Sequence, residues 1–247
     1  MTVRRMQEKR GWVFWLACFI VKPFMWATTK RTWINPERIP ESGGFVIAMN
    51  HLSHIDPVTA AVLVYDYGRL PRYLAKAGLW NNKWLRLILD GAQQIPVERE
   101  SGGSQAFSAA VQAVREGKAI VVYPEATITR DPDLWPMKGK SGAARIALET
   151  GCPVIPVGQW GAQDLLAPYT TRPHLMPPRK RLVQSIGDPV ELADLAAKER
   201  TPEVVAEATE RIMAAITAEL EQIRGEKAPA HRWDMAVDGD RFKKAHK

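Results

Sequence analysis

Short apolar runs bounded by turn residues alternate along the chain with longer stretches whose apolar residues recur at helical spacing, the pattern of a sheet covered by helices. Strands are predicted at 45–49, 72–75, 94–97, 119–123, 154–157 and 182–186, and helices at 57–67, 82–90, 104–116, 142–149 and 202–224. The expected fold class is α/β, a mixed sheet with helices packed over it. Residues 162–181, rich in proline, threonine and basic side chains, read as a long surface loop, and residues 225–247, charged and without periodicity, as a poorly ordered tail. The expected organisation is thus an N-terminal segment at 1–30, one domain at 31–224 and the tail.

The first thirty residues differ from the rest. Arg4, Arg5, Lys9 and Arg10 precede an apolar run from Gly11 to Val21, with Trp12, Trp15 and Trp26 in or near it. As a helix rising about 1.5 Å per residue, the run spans about half of a roughly 30 Å hydrocarbon core, and Lys22 and Pro23 interrupt it. Tryptophans favour the headgroup level and basic residues attract anionic lipid, so the segment reads as a helix lying in the membrane surface. An ordinary core helix fits the same pattern. A secretory signal peptide fits less well, because no A-x-A cleavage site follows.

The chain has 247 residues, 46% of them hydrophobic, enough for a substantial core. Thirty-four Lys and Arg against 27 Asp and Glu give a formal charge of +7, which favours anionic partners. Cys18 and Cys152 lack the spacing of a zinc site or a disulfide framework, so a reducing compartment suits the chain.

The stretch Asn50-His51-Leu52-Ser53-His54-Ile55-Asp56-Pro57 lies where a predicted strand ends and a helix begins, the usual place for sites in α/β folds. Asp56 suits a helix N-cap and Pro57 a first helical position, which would fix the carboxylate near the loop carrying His51. A carboxylate bonded to one ring nitrogen holds a histidine in one tautomer and stabilises its cation, freeing the other nitrogen to take a proton from an alcohol. By pattern alone, a plain helix cap with incidental histidines reads equally well.

Asn50, His51, Ser53 and Asp56 match the NHxSxxD box of the glycerolipid acyltransferases, and the chain resembles the 1-acylglycerol-3-phosphate acyltransferase family. Gly91, Ile95, Val97 and Arg99 resemble the second box, Tyr123-Pro124-Glu125-Ala126-Thr127 the third, and Val154-Ile155-Pro156-Val157 the fourth. The resemblance implies that His51 deprotonates an acceptor hydroxyl, with Asp56 orienting it, and that the hydroxyl attacks an acyl thioester directly. The donor would be acyl-coenzyme A or acyl-loaded acyl carrier protein, used as substrate with no cofactor. The acceptor would be a lysophospholipid, foremost 1-acyl-sn-glycerol-3-phosphate, bound through Arg99 with Glu125 and Thr127 shaping the site. The remaining expected partner is the lipid surface, met peripherally or monotopically on the cytoplasmic side of the cell membrane.

The third box departs from its usual form, with Ala126 for glycine and Ile128 for a phosphate-binding arginine. Alanine resists backbone angles that glycine permits, so a different loop path is expected, and loss of the arginine removes a bidentate clamp. Arg130, Lys138 and Lys140 follow closely and read equally as phosphate ligands or as solvated surface. Another lysolipid or a glycolipid is therefore an alternative acceptor. The apolar faces at 58–64 and 79–89 could line an acyl-chain tunnel or belong to the core. His51, His54 and Asp56 do not match a helical HExxH metal motif, and position 134 is Leu where a phosphate-binding loop ending at Gly139-Lys140-Ser141 needs glycine. No GxSxG elbow occurs. A non-catalytic basic protein binding membranes would leave the boxes unexplained, and nucleic acid is not an expected partner.

Overall fold

The computed structural model describes residues 4–6, 8–9, 11–97, 104–240 and 242. Its main sheet has six strands in the order β1 (Thr29–Ile34), β8 (Lys180–Ile186), β7 (Val154–Trp160), β2 (Phe45–Met49), β6 (Ala119–Val122) and β3 (Pro71–Arg72). β7 and β8 pair antiparallel and the other neighbours parallel, so the sheet is mixed. β4 (Leu74–Lys76) and β5 (Ile95–Val97) form a separate parallel pair.

Every residue of β2 is buried, as a parallel strand covered on both faces requires. Val46 and Ala48 turn to one face, where α4 (Ser104–Arg115), α5 (Gly142–Thr150) and α8 (Pro202–Arg224) contribute Ala110, Ala147, Ile212 and Ile216. Phe45, Ile47 and Met49 turn to the other, against Ala60, Leu63 and Val64 of α2 (Asp56–Asp66). α8 crosses β7 closely at Gly158, where a Cβ would lie 2.6 Å from the Leu220 nitrogen, so a side chain there would push the helix off the sheet.

The fold differs from the sequence reading in several places. β1 was not expected: its sequence Thr-Lys-Arg-Thr-Trp-Ile is too polar to signal a strand, and it pairs only as an edge beside β8. The strand expected at 72–75 divides into β3 and β4 of different sheets. The loop at 162–181 opens with a one-turn helix, α6 (Ala162–Leu165), and another turn, α7 (Ala193–Ala196), precedes α8. Residues 225–240, expected as a poorly ordered tail, carry no regular strand or helix but lie back on the body. Lys138 Nζ pairs with Asp234 at 2.8 Å, the Lys138 N–H donates to Trp233 O at 2.9 Å, and Arg130 pairs with Asp240 at 3.0 Å. The charges that suggested a solvated tail make these contacts instead.

α1 (Trp12–Thr28) packs against α2 and α3 (Lys83–Gly91), and Gly91 meets Val13 so closely that a Cβ would clash. Among the described residues no helix is long and apolar enough to cross a membrane. α1 nonetheless turns Trp12, Trp15, Phe19, Ile20 and Trp26 outward, with Trp15 63% and Phe19 68% exposed. α3 buries none of its residues and exposes Trp84, Leu87 and Ile88, whereas the 58–64 face of α2 contributes to the core.

Candidate active site

β2 and β6 are parallel neighbours, so the loops leaving their C-terminal ends, which carry His51 and Glu125, lie side by side. His51 Nδ1 stands 2.7 Å from Asp56 Oδ2. The same oxygen accepts the backbone N–H groups of Leu52 at 2.6 Å and Ser53 at 2.8 Å. Asp56 opens α2 but does not cap it as expected: its carboxylate turns back to the preceding loop, and the N-cap position falls to Ile55. The turn Ser53-His54-Ile55 makes this reversal, closed by the Asp56 N–H donating to Ser53 O at 3.1 Å.

The carboxylate of Asp56 is fully buried. Burial raises its pKa, against the lowering pull of His51 and the two backbone donors. Among the described residues, Oδ1 of Asp56 and the hydroxyl of Tyr123 are buried without hydrogen bonds. The Tyr123 ring stacks on the His51 imidazole, centroids 4.4 Å apart and planes 25° apart. With its Nδ1 side held by Asp56 and one face covered by Tyr123, the imidazole keeps a single orientation. Its Nε2 takes no hydrogen bond from the described residues, and the side chain is 16% exposed, so this nitrogen is the one a substrate can reach.

Glu125 ties the third box to the first. Its Oε1 accepts the His51 N–H at 2.8 Å and its Oε2 the Met137 N–H at 3.0 Å. Burial pushes its pKa up to about 8, opposed by these two backbone bonds. The Thr129 N–H donates to His51 O at 2.8 Å, so both backbone polar groups of His51 are held from the segment after β6.

The other expected residues are less central. Thr127 Oγ1 lies 3.3 Å from the Tyr169 hydroxyl, which donates to Ile128 O. Arg130 stacks 3.9 Å above the Tyr169 ring and pairs with Asp240, so its guanidinium already has partners. The Lys140 N–H donates to Pro124 O at 2.7 Å, and the residue lines a cavity of about 860 Å³ together with Glu125, Lys138, Arg200 and Trp233. Arg99 lies outside the described residues. Ala126 adopts φ 58°, the left-handed region that glycine favours, so the third-box turn is built in a glycine-type geometry despite the alanine.

Sequence reasoning missed Gln159. Asn50 Nδ2 donates to Gln159 O at 3.0 Å, and Asn50 Oδ1 accepts from Gln159 N at 2.8 Å. Gln159 Nε2 donates back to Asn50 O at 3.1 Å, which locks the start of the His51 loop to β7. A lone glutamine two residues beyond an apolar run was its only signal. Tyr73, whose hydroxyl donates to Pro57 O at 2.5 Å, gave none.

This arrangement can perform general-base chemistry on a hydroxyl. A family model described as Acyltransferase matches residues 30–160, more than half of the chain. The chain is 29% identical over 181 residues to a Bacillus subtilis 1-acyl-sn-glycerol-3-phosphate acyltransferase, covering 72% of this chain and 84% of the relative. It is 31% identical over 123 residues to the protein of that name from Borreliella burgdorferi, covering 49% of this chain and 47% of the relative. Its fold is similar to the crystal structure of the 1-acyl-sn-glycerophosphate acyltransferase PlsC from Thermotoga maritima, with a TM-score of 0.63, 19% identity, and coverage of 88% of this chain and 81% of the other. The family match runs from β1 to the end of β7 and takes in His51, Asp56 and Glu125 together: the chain belongs to the acyltransferase family.

Proposed function

We propose that this acyltransferase moves a fatty acyl chain from a coenzyme A or acyl carrier protein thioester to the free hydroxyl of a lysophospholipid, foremost 1-acyl-sn-glycerol-3-phosphate. The observation that carries the reading is the contact of His51 Nδ1 with Asp56 Oδ2 at 2.7 Å, which leaves Nε2 free. Nε2 takes the proton of the acceptor hydroxyl as its oxygen attacks the thioester carbonyl carbon, and the buried Asp56 carboxylate stabilises the imidazolium formed. The carbon–sulfur bond then breaks, and the imidazolium returns the proton to the departing thiolate. No acyl-enzyme is needed.

The relatives named above support a lysophosphatidic acid acceptor. Arg99 is the proposed phosphate ligand, with Lys140 as a further cation, Arg130 as one that would first leave Asp240, and Glu125 and Thr127 shaping the site. A second reading, a different lysolipid or a glycolipid, is favoured by one observation. Ile128 is 2% exposed, so the position where the family carries an arginine here packs into the protein and offers no cation. The outward aromatic stripe of α1 supports peripheral or monotopic binding to a membrane surface, which we place at the cytoplasmic face of the cell membrane.

The test is acyl transfer in mixed micelles by wild type and His51→Ala, with radiolabelled oleoyl-coenzyme A or oleoyl-acyl carrier protein and a panel of lysolipids. Transfer to lysophosphatidic acid by wild type alone is expected. Transfer to a different acceptor selects the second reading, and equal transfer by both proteins defeats the His51 mechanism.

A further inference from the structure

The segment between α6 and β8 carries a set of charges that the active site does not use. Arg172, Arg179, Lys180 and Arg181 surround Leu175 and Met176, which are 51% and 70% exposed. On the edge strand β1, Lys30 lies opposite Arg181 in parallel register, both exposed, and Arg31 follows. Among the described residues these six cations form no ion pair with a carboxylate. Like charges side by side across a strand pair destabilise it, so this edge gains from a neighbouring anion.

The segment is tied to α1 at one end and to the catalytic loop at the other. Arg179 Nη1 donates to Trp26 O at 3.1 Å, and its guanidinium lies 5.6 Å from the Trp26 ring centroid. Ser53 Oγ donates to Leu166 O at 2.5 Å, and Tyr169 contacts Thr127 and the His54 ring. Exposed apolar side chains in a loop, with cations that have no carboxylate partner beside them, match the chemistry of a bilayer interface: the apolar pair enters the acyl boundary while the cations meet phosphate headgroups, Lys180 giving up its bond to Met176 O at 3.3 Å to do so.

We propose that residues 171–181 and the β1 edge form a second contact with an anionic lipid surface. Leu175 and Met176 insert, and Lys30, Arg172, Lys180 and Arg181 meet lipid phosphates. The inference rests on the reading of α1 as an interfacial anchor and adds a second point of attachment. One helix lying in a surface leaves the body free to roll about the helix axis, whereas two linked contacts fix its tilt. Because the loop base bonds the His51 loop, the fixed tilt keeps the catalytic histidine beside the surface from which a lysolipid arrives.

The test is cosedimentation of the full chain with phosphatidylcholine vesicles, with and without phosphatidylglycerol. Three variants are compared with wild type: Lys30→Gln/Arg181→Gln, Leu175→Ser/Met176→Ser, and Trp15→Ser/Phe19→Ser in α1. The charge variant is expected to bind phosphatidylglycerol vesicles about 25-fold more weakly, about fivefold for each surface cation, with little change on phosphatidylcholine alone. The apolar-pair variant should weaken binding to both vesicles by about tenfold or more. Turnover of a short-chain acceptor dissolved as monomers should be unchanged in both. Wild-type binding by the charge and apolar-pair variants overturns the proposal, and so does loss of acyl carrier protein binding in the charge variant with vesicle binding retained. Wild-type binding by the α1 variant alone overturns the anchor reading and leaves the loop contact standing.

Discussion

Glu125 holds the backbone of His51: its Oε1 accepts the His51 N–H at 2.8 Å while its Oε2 accepts the Met137 N–H at 3.0 Å. The third box therefore acts first on the position of the catalytic loop. Glu125→Ala leaves two buried N–H groups without acceptors, and each costs about 1–3 kcal/mol. The variant should lose about 2–6 kcal/mol in urea unfolding at pH 5, where the glutamate's contribution is nearly complete, with kcat reduced because His51 is no longer fixed from this side. Glu125→Gln keeps one acceptor oxygen and should lose about half as much. Wild-type stability in Glu125→Ala would show that these bonds are not made in solution.

The same glutamate should impose a pH dependence on stability. Its pKa is raised to about 8 by burial, and that of Asp56 is raised for the same reason. Below the unfolded-state pKa, near 4.5 for Glu125, folded and unfolded chains both carry the proton and its contribution to stability is fully present. As pH rises towards about 8 the unfolded chain releases the proton while the folded chain keeps it, so that stability is progressively lost. Carboxylates with lowered pKa, such as Glu8 beside Arg72 and Arg69, act with the opposite sign at lower pH. The difference between wild type and Glu125→Gln isolates the effect. The wild-type advantage in thermal unfolding should shrink by a few kcal/mol between pH 5 and pH 8. An advantage that stays constant or grows across this range would refute the buried, protonatable glutamate.

Asp56→Asn separates charge from geometry. An amide oxygen placed where Oδ2 lies can still accept from His51 Nδ1 and from the Leu52 and Ser53 N–H groups, so the loop should keep its shape. The lost group is the negative charge that stabilises the imidazolium. Thermal stability at neutral pH should stay within about 1 kcal/mol of wild type, because a buried carboxylate costs desolvation that an amide avoids. The rate should fall by about 10²- to 10⁴-fold. Full activity in Asp56→Asn would leave the carboxylate without a role in proton transfer.

How much of this was legible in the sequence depended on whether a residue's partner lay nearby in the chain. β2 announced itself as an apolar run because parallel neighbours bury both of its faces, and the five-residue spacing of His51 and Asp56 places the dyad on one turn. Gln159 was hidden because its bonds to Asn50 span 109 residues and exist only through the pairing of β2 with β7. The stacking of Tyr123 on His51 depends in the same way on β6 lying beside β2. β1 was obscured by Lys30 and Arg31, which an edge strand tolerates because one side of it remains unpaired. Residues 225–240 were misread because a run of charges looks alike whether its partners are water or Lys138 and Arg130; positions 241 and 243–247 of the expected tail lie outside the described residues.

Ala126 offers a test in which a substitution should improve the protein. Its φ of 58° is one an alanine adopts at a cost of about 1–2 kcal/mol, and a glycine there escapes that cost. Glycine also gives the unfolded chain more freedom, which offsets part of the gain. Ala126→Gly should therefore stabilise the fold by about 0.5–1 kcal/mol, raising Tm by about 1–4 °C in a chain of this size. The turn is anchored at the Ala126 N–H, which donates to Tyr123 O at 2.9 Å, so the substitution leaves the Tyr123 ring on His51 and the Glu125 bonds in place. Activity should stay at the wild-type level while calorimetry shows the higher Tm. A lowered Tm would mean that the turn does not hold position 126 in the left-handed region, and that the third box follows the different path expected of an alanine.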